Sequence, residues 1–314
     1  MDSFITLLKA QSVIIVYILI GVLLSKKGMI TYKSRGAFTD FVIKVTLPCM
    51  VFSSFMGEMT GDMLKEGASV LFISSGVCIF AWIAGIFIFR KAESRKRSIM
   101  KFALLVGNIG FVGMPLVAQV YGEQGSFYGS FYLISNVVFN WSVGIAFLSP
   151  GEKGAALVKK VLLNPGIIGV TLGIARMLLN ISLPYTAETV IRALGGITSP
   201  MGIILVGTIL GECRLGDIFD KSVLYTCFCK LIALPLCLMA FLWASGLGVS
   251  LAPAAVGVLM VMTAMPAGAT TAILAESYGQ DEVFASKTVF ATTLLSLATA
   301  PIAALAQPFL QSIM

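Results

Sequence analysis

Gly107-Asn108-Ile109-Gly110-Phe111-Val112-Gly113-Met114-Pro115 lies inside an apolar run, Ile99 to Val120, that is long enough to cross a bilayer. Three glycines, a proline and an asparagine occupy what should be the driest and most regular part of a helix. In hydrocarbon each unpaired backbone group costs several kcal/mol, so irregular backbone survives at that depth only inside protein or along a watery cavity. The stretch therefore predicts a broken helix, and with it the working centre of a transporter.

The rest of the chain fits that setting. Of 314 residues, 58% are hydrophobic and only 12% charged, against about 25% charged in a soluble domain. This composition predicts an all-α polytopic protein embedded in the lipid bilayer, with no hydrophilic run long enough for a separate soluble domain. Ten apolar segments fall at about 8–25, 37–56, 67–89, 99–120, 126–148, 161–181, 187–211, 218–244, 253–277 and 283–310. The first lacks a basic leader and a small-residue cleavage pattern, so it reads as a retained span.

The net charge of +7 points to membrane topology and not to nucleic acid. Most lysines and arginines crowd the loops on one side: Lys26, Lys27, Lys33 and Arg35; Arg90 to Lys101; Lys153, Lys159 and Lys160; Arg214 and Lys221; and Lys287. The positive-inside rule then makes the odd-numbered loops cytoplasmic and leaves both termini on the outer face of the cytoplasmic (inner) membrane. The acidic loop Glu58 to Asp62 falls outside, in agreement.

The chain has no histidine, which excludes Ser-His and Cys-His catalysis, His-ligated metals and His-based pH sensing. The six cysteines (Cys49, Cys78, Cys213, Cys227, Cys229 and Cys237) fall in or beside apolar segments and read as small buried hydrophobes. No metal or cofactor is expected. An enzyme would need a clustered nucleophile, acid–base pair or metal site, and scattered carboxylates do not supply one.

The two halves of the chain resemble each other. A shift of about 152 residues lays Gly21 on Gly173 and Pro48 on Pro200. A shift of about 157 lays Tyr121-Gly122 on Tyr278-Gly279, Phe127 on Phe284, and Gly107-Asn108-Ile109-Gly110 on Ala264-Met265-Pro266-Ala267. Two repeats of five spans, residues 1–155 and 156–314, follow. Five is odd, so the second repeat enters the membrane from the opposite side. Such inverted repeats place a site near the midplane where broken helices meet, here spans four and nine.

At these residues the chain resembles the auxin efflux carrier family, which includes plant PIN-type carriers and bacterial malonate-transporter-like members. The likeness rests on Gly107 to Pro115, Leu47-Pro48, Asn164-Pro165, Ala264-Met-Pro-Ala-Gly268 and Tyr278-Gly279. It implies ten helices in an inverted five-plus-five repeat, a fold related to bile-acid sodium symporters, with helices four and nine broken and crossing. It also implies a scaffold of helices 1, 2, 6 and 7, a moving domain of helices 3–5 and 8–10, and a homodimer formed through the scaffold. Plant carriers have Leu-Pro-Asn at the first break, where this chain has Val106-Gly107-Asn108. The asparagine is retained and glycine replaces proline. The long cytoplasmic loop of many plant members is reduced here to about Ser149–Lys160.

The candidate substrate contacts are Asn108 with Gly107, Ile109 and Gly110, and, from the second break, Pro266, Ala267, Gly268 and Thr270. Asn136 and Asn140 stand four apart on one face; with Ser135 they either line the wall beside Asn108 or serve as packing bonds. Pro48, Gly113, Pro115 and Pro200 are expected to shape the helices. Asp40 and Lys44 read as a self-neutralised pair. Lys230 has no local acidic partner; it either snorkels, meets a carboxylate of another helix, or serves as a fixed positive charge near an anion, for which it is the best candidate.

The function that follows is a secondary carrier for a small organic anion, an auxin-like or malonate-like mono- or dicarboxylate, working by elevator-type alternating access. Positive helix ends suit the anion and free carbonyls suit a cation, so coupling to protons or sodium stays open. A sodium-coupled organic-anion symporter, or a sensor or channel on the same fold, are the alternatives. No phosphate-binding loop is present for direct drive by ATP.

Overall fold

The computed structural model describes residues 2–57, 61–148, 159, 162–179, 181–212, 220–268 and 270–313. The expected boundary between residues 155 and 156 lies outside them, as do Glu58, Lys153, Lys160, Cys213 and Arg214. Among the described residues the chain is helical, with a single isolated bridge, Gly107 to Ala267, and no strand.

The helices are α1 (Asp2–Lys26), α2 (Tyr32–Phe41), α3 (Leu47–Ser53), α4 (Gly61–Ile88), α5 (Ser94–Leu105), α6 (Met114–Phe139), α7 (Ile145–Leu148), α8 (Pro165–Leu178), α9 (Tyr185–Glu212), α10 (Lys221–Phe228), α11 (Leu234–Ala244), α12 (Leu247–Ser250), α13 (Pro253–Thr263), α14 (Thr270–Ser277) and α15 (Glu282–Ile313). Short π turns at Val42–Thr46, Ile109–Gly113, Asn140–Gly144 and Cys229–Ala233 join several of them without a break.

Five stretches are long and apolar enough to cross a membrane: Lys33–Ser53, Gly61–Ile88, Ile109–Leu148, Lys221–Ala244 and Glu282–Leu310. Ile15–Lys26, Pro165–Leu178 and Pro253–Thr263 are shorter apolar helices. Large apolar side chains such as Phe72, Phe87, Leu172, Phe228, Phe241 and Ile302 point outward, which a bilayer tolerates and water does not.

Proline explains three of the π turns. Leu47-Pro48, Met114-Pro115 and Leu234-Pro235 each follow one immediately. Proline has no N–H and its ring crowds the carbonyl four residues back. The residue before it therefore bonds five back: Leu47 N–H to Val42 O, Met114 N–H to Ile109 O, Leu234 N–H to Cys229 O.

Three glycines fix the architecture. Gly122, at φ 61° and ψ −139°, interrupts α6 and divides the 40-residue Ile109–Leu148 stretch. That left-handed conformation suits only glycine without strain. Where α1 packs along α9, a Cβ on Gly21 would meet Ile204 O at 2.1 Å, and one on Gly207 would meet Ile18 O at 2.2 Å. Backbones touch there, as small residues permit in membrane helix pairs.

Side-chain packing forms two main cores. One gathers Ile109, Met114, Val258, Met262 and Met265; the other gathers Phe102, Leu105, Val106, Leu231 and Leu274. Val106 and Ile109 thus belong to different cores, and the polar residues of the opening stretch lie between them.

Candidate functional site

Helix α5 ends where Val106 turns extended (φ −98°, ψ 113°), its N–H still bonded to Phe102 O at 2.8 Å. Asn108 leaves helical geometry too (φ −78°, ψ 62°) before the π turn begins at Ile109. Helix α13 likewise ends at Thr263, and Met265–Gly268 run non-helical ahead of α14. All of Val106–Asn108 and Ala264–Gly268 are buried.

These two interruptions satisfy each other. Asn108 N–H donates to Pro266 O at 2.7 Å, and Gly268 N–H donates to Val106 O at 3.0 Å. Gly107 and Ala267 face each other in antiparallel register between those bonds. Buried backbone groups must find partners, and four freed by the two interruptions find them here.

The side chains around the pair are less complete. Asn108 is 4% exposed, and its Nδ2 has no hydrogen-bond partner. Its side chain does not cap the following turn, so the first N–H groups after it keep the free donors of a helix start. The hydroxyls of Thr270 and Thr271 are also buried without partners. Thr270 Oγ1 lies close: a Cβ on Gly268 would stand 3.1 Å from it and 3.3 Å from Gly107 O. Buried polar groups are normally paired. Asn108 Nδ2 and the Thr270 and Thr271 hydroxyls are thus unpaired polar groups within a few residues in sequence of the two interruptions.

Threonines support the second interruption. Ala267 N–H donates to Thr292 Oγ1 at 3.2 Å, and that hydroxyl in turn donates a hydrogen bond to Thr288 O at 2.7 Å. At the end of α13, Thr263 Oγ1 meets the Tyr132 hydroxyl at 3.1 Å.

Lys230 supports the first. It is 3% exposed and its Nζ donates to Leu104 O at 2.9 Å. A Cβ on Gly107 would lie 3.7 Å from that nitrogen. No carboxylate pairs with it among the described residues. Its acceptor is a backbone carbonyl 126 residues away in sequence, which no local pattern announces.

The remaining candidates divide. Ile109 packs beside Gly107, whereas Gly110 faces Leu47. Gly113 is seated against Met262 and Met265; Pro48 backs Gly169; Pro115 opens α6; and Pro200 lies within α9. Ser135 bonds to Ser74 and Ser75 at 2.7 and 2.9 Å, so it ties α6 to α4. Asn136 and Asn140 are buried, and Asn140 Oδ1 lacks a partner. Asn140 begins a π turn that packs on α5. Asp40 and Lys44 pair with each other at 2.7 Å, with side chains 61% and 63% exposed. Among the described residues no cluster of His, Cys, Asp or Glu has the makings of a metal site.

A family model described as membrane transport protein matches residues 7–304. An "Uncharacterized transporter" from Methanothermobacter thermautotrophicus is 25% identical over 298 residues, covering 92% of this chain and 94% of its own. A protein named "Putative malonate transporter" from Rhizobium meliloti is 21% identical over 276 residues, covering 85% of each. The "Uncharacterized transporter YfdV" of Escherichia coli is 23% identical over 242 residues, covering 72% of this chain and 75% of its own.

Proposed function

Because the chain belongs to the membrane transport protein family, the auxin efflux carrier family that its Gly107–Pro115 motif resembles, we propose that it is a secondary carrier for a small organic anion. It is an integral membrane transporter and not an enzyme, as are its relatives. The observation that carries the anion reading is the pairing of Val106–Asn108 with Pro266–Gly268, with the unpartnered Asn108 amide and the Thr270 and Thr271 hydroxyls in or just after those segments. Those are hydrogen-bond donors, and the helix start after Asn108 adds positive dipole. A mono- or dicarboxylate is the small metabolite class that such donors suit, and the malonate named for one relative is the natural first probe.

In this reading the two interruptions are the broken fourth and ninth helices of a ten-helix inverted repeat, crossing at the bilayer midplane. The tight Gly21–Gly207 contact of α1 with α9 belongs to the scaffold, through which two copies associate. Helices α4–α7 and α10–α15 travel as the moving domain. Both termini face outward from the cytoplasmic membrane. Carrier-mediated flux into proteoliposomes, measured with a panel of labelled carboxylates under imposed proton and sodium gradients, tests the proposal. Saturable uptake of at least one carboxylate is expected; non-saturable flux would mean a channel, and no flux or binding for any would defeat the anion reading.

A further inference from the structure

A helix interrupted inside a membrane leaves carbonyls at the end of its first half, and such ends coordinate coupling cations in carriers. The end of α5 is of this kind. Phe102 O keeps its helical partner, Val106 N–H, and Val106 O accepts from Gly268 N–H. Leu104 O would accept from Asn108 N–H in a continuous helix, but that N–H has turned to Pro266 O. The carbonyl so freed is taken by the Lys230 ammonium at 2.9 Å.

A primary ammonium is a compact point charge with three donors. One is spent on Leu104 O, and the group stands beside Gly107, next in sequence to the unpaired Asn108 amide. At the matching end of α13, among the described residues, Thr263 meets the neutral Tyr132 hydroxyl and no lysine or arginine bond is found there. An ionised group 97% buried at membrane depth needs an opposite charge, and no described carboxylate supplies it.

Resting on the anion reading above, we propose that Lys230 is a tethered cation at the crossing. It occupies the place of a coupling sodium ion at the end of α5 and provides the positive charge against which the substrate's carboxylate is held. Transport then requires no sodium.

The test uses the full-length protein in liposomes with labelled malonate, then the other carboxylates of the panel, and measures competition by malonate and by neutral malonamide. Wild-type uptake should be the same within about twofold when choline replaces sodium, a ratio far smaller than loss of a coupling ion produces. Lys230→Met should lower the preference for malonate over malonamide by about tenfold or more, as loss of a buried charge partner does. Lys230→Arg should keep most of that preference. A role confined to packing would lower stability and leave the preference unmoved. Sodium-dependent uptake by the wild type, or an unchanged preference in a folded Lys230→Met, would overturn this proposal alone. Should Lys230→Met not fold, the sodium comparison on the wild type and the Lys230→Arg preference still decide. Failure of the wild type to take up any carboxylate would sink the carrier reading and this proposal with it.

Discussion

The two interruptions that meet at Gly107 and Ala267 share a backbone plan but not a chemistry. Each ends one helix, runs non-helical for a few residues and leads into another, and each completes the other's hydrogen bonds. The first ends on charge, with Lys230 on Leu104 O, and is followed by an unpaired amide on Asn108. The second is braced by neutral hydroxyls: Tyr132 on Thr263, and Thr292 under Ala267. A pair alike in backbone but unlike in charge gives, in the proposed reading, one arm that bears charge toward the anion and one that meets it with neutral hydroxyls while bracing the geometry.

That contrast can be broken most sharply at Asn108. The Asn108→Ala substitution removes a donor that caps nothing in the protein, so stability should hold. Malonate binding should fall by about tenfold to a hundredfold, the worth of a hydrogen bond to a charged group at about 1.5–3 kcal/mol. Thr270→Val, on the second arm, removes only a neutral hydroxyl and should cost less than about tenfold in the same binding assay.

The reverse pattern is expected at Thr292. In Thr292→Val the buried Ala267 N–H loses its acceptor, a cost of about 1–3 kcal/mol. Thermal unfolding in detergent should shift down clearly, with little change in malonate affinity. Equal losses of affinity from Asn108→Ala and Thr292→Val would erase the division between the arms.

How far the sequence announces this site depends on distance along the chain. Glycines, proline and asparagine inside the apolar Ile99–Val120 run betray the first interruption locally, and the shift of about 157 residues finds its partner near Pro266. Gly122 likewise separates the segments around 99–120 and 126–148. The π turns are legible only through their cause, a proline two residues past each of three of them. Lys230 and Thr292 are harder. Each acts on a main-chain group of another segment, and a backbone carbonyl or N–H has no residue identity to pattern-match. Ser135 shows the converse, since its polar character suits a site wall but its partners are two serines of α4.

The smallest effects belong to the water-facing ends of the same elements. Lys96, near the start of α5, pairs with Asp220, the N-cap of α10, at 3.4 Å. α5 is therefore tied to the start of α10 by this part-buried pair and to the π turn that follows α10 by the buried Lys230. Burial works to raise the Asp220 carboxyl, but the Val223 N–H and the Lys96 ammonium outweigh it and hold it below its ordinary value. A depressed carboxyl stabilises above its unfolded value, near pH 4, and loses that contribution as pH falls through its folded value. Acid scans should loosen this tie only below about pH 4. Asp220→Asn, which keeps the cap, should cost under about 1 kcal/mol in thermal stability. Asp40→Asn, in a pair more exposed still, should cost about 0.5 kcal/mol or less and leave malonate transport unchanged.

The central claim is that both interruptions hold one substrate anion between them. An experimental structure determined with saturating malonate tests it directly. A carboxylate oxygen about 2.6–3.2 Å from Asn108 Nδ2, with the ligand reaching Thr270 across the Gly107–Ala267 contact, is the result the account predicts. Malonate bound elsewhere, with the Asn108 amide satisfied by protein or water, would contradict it.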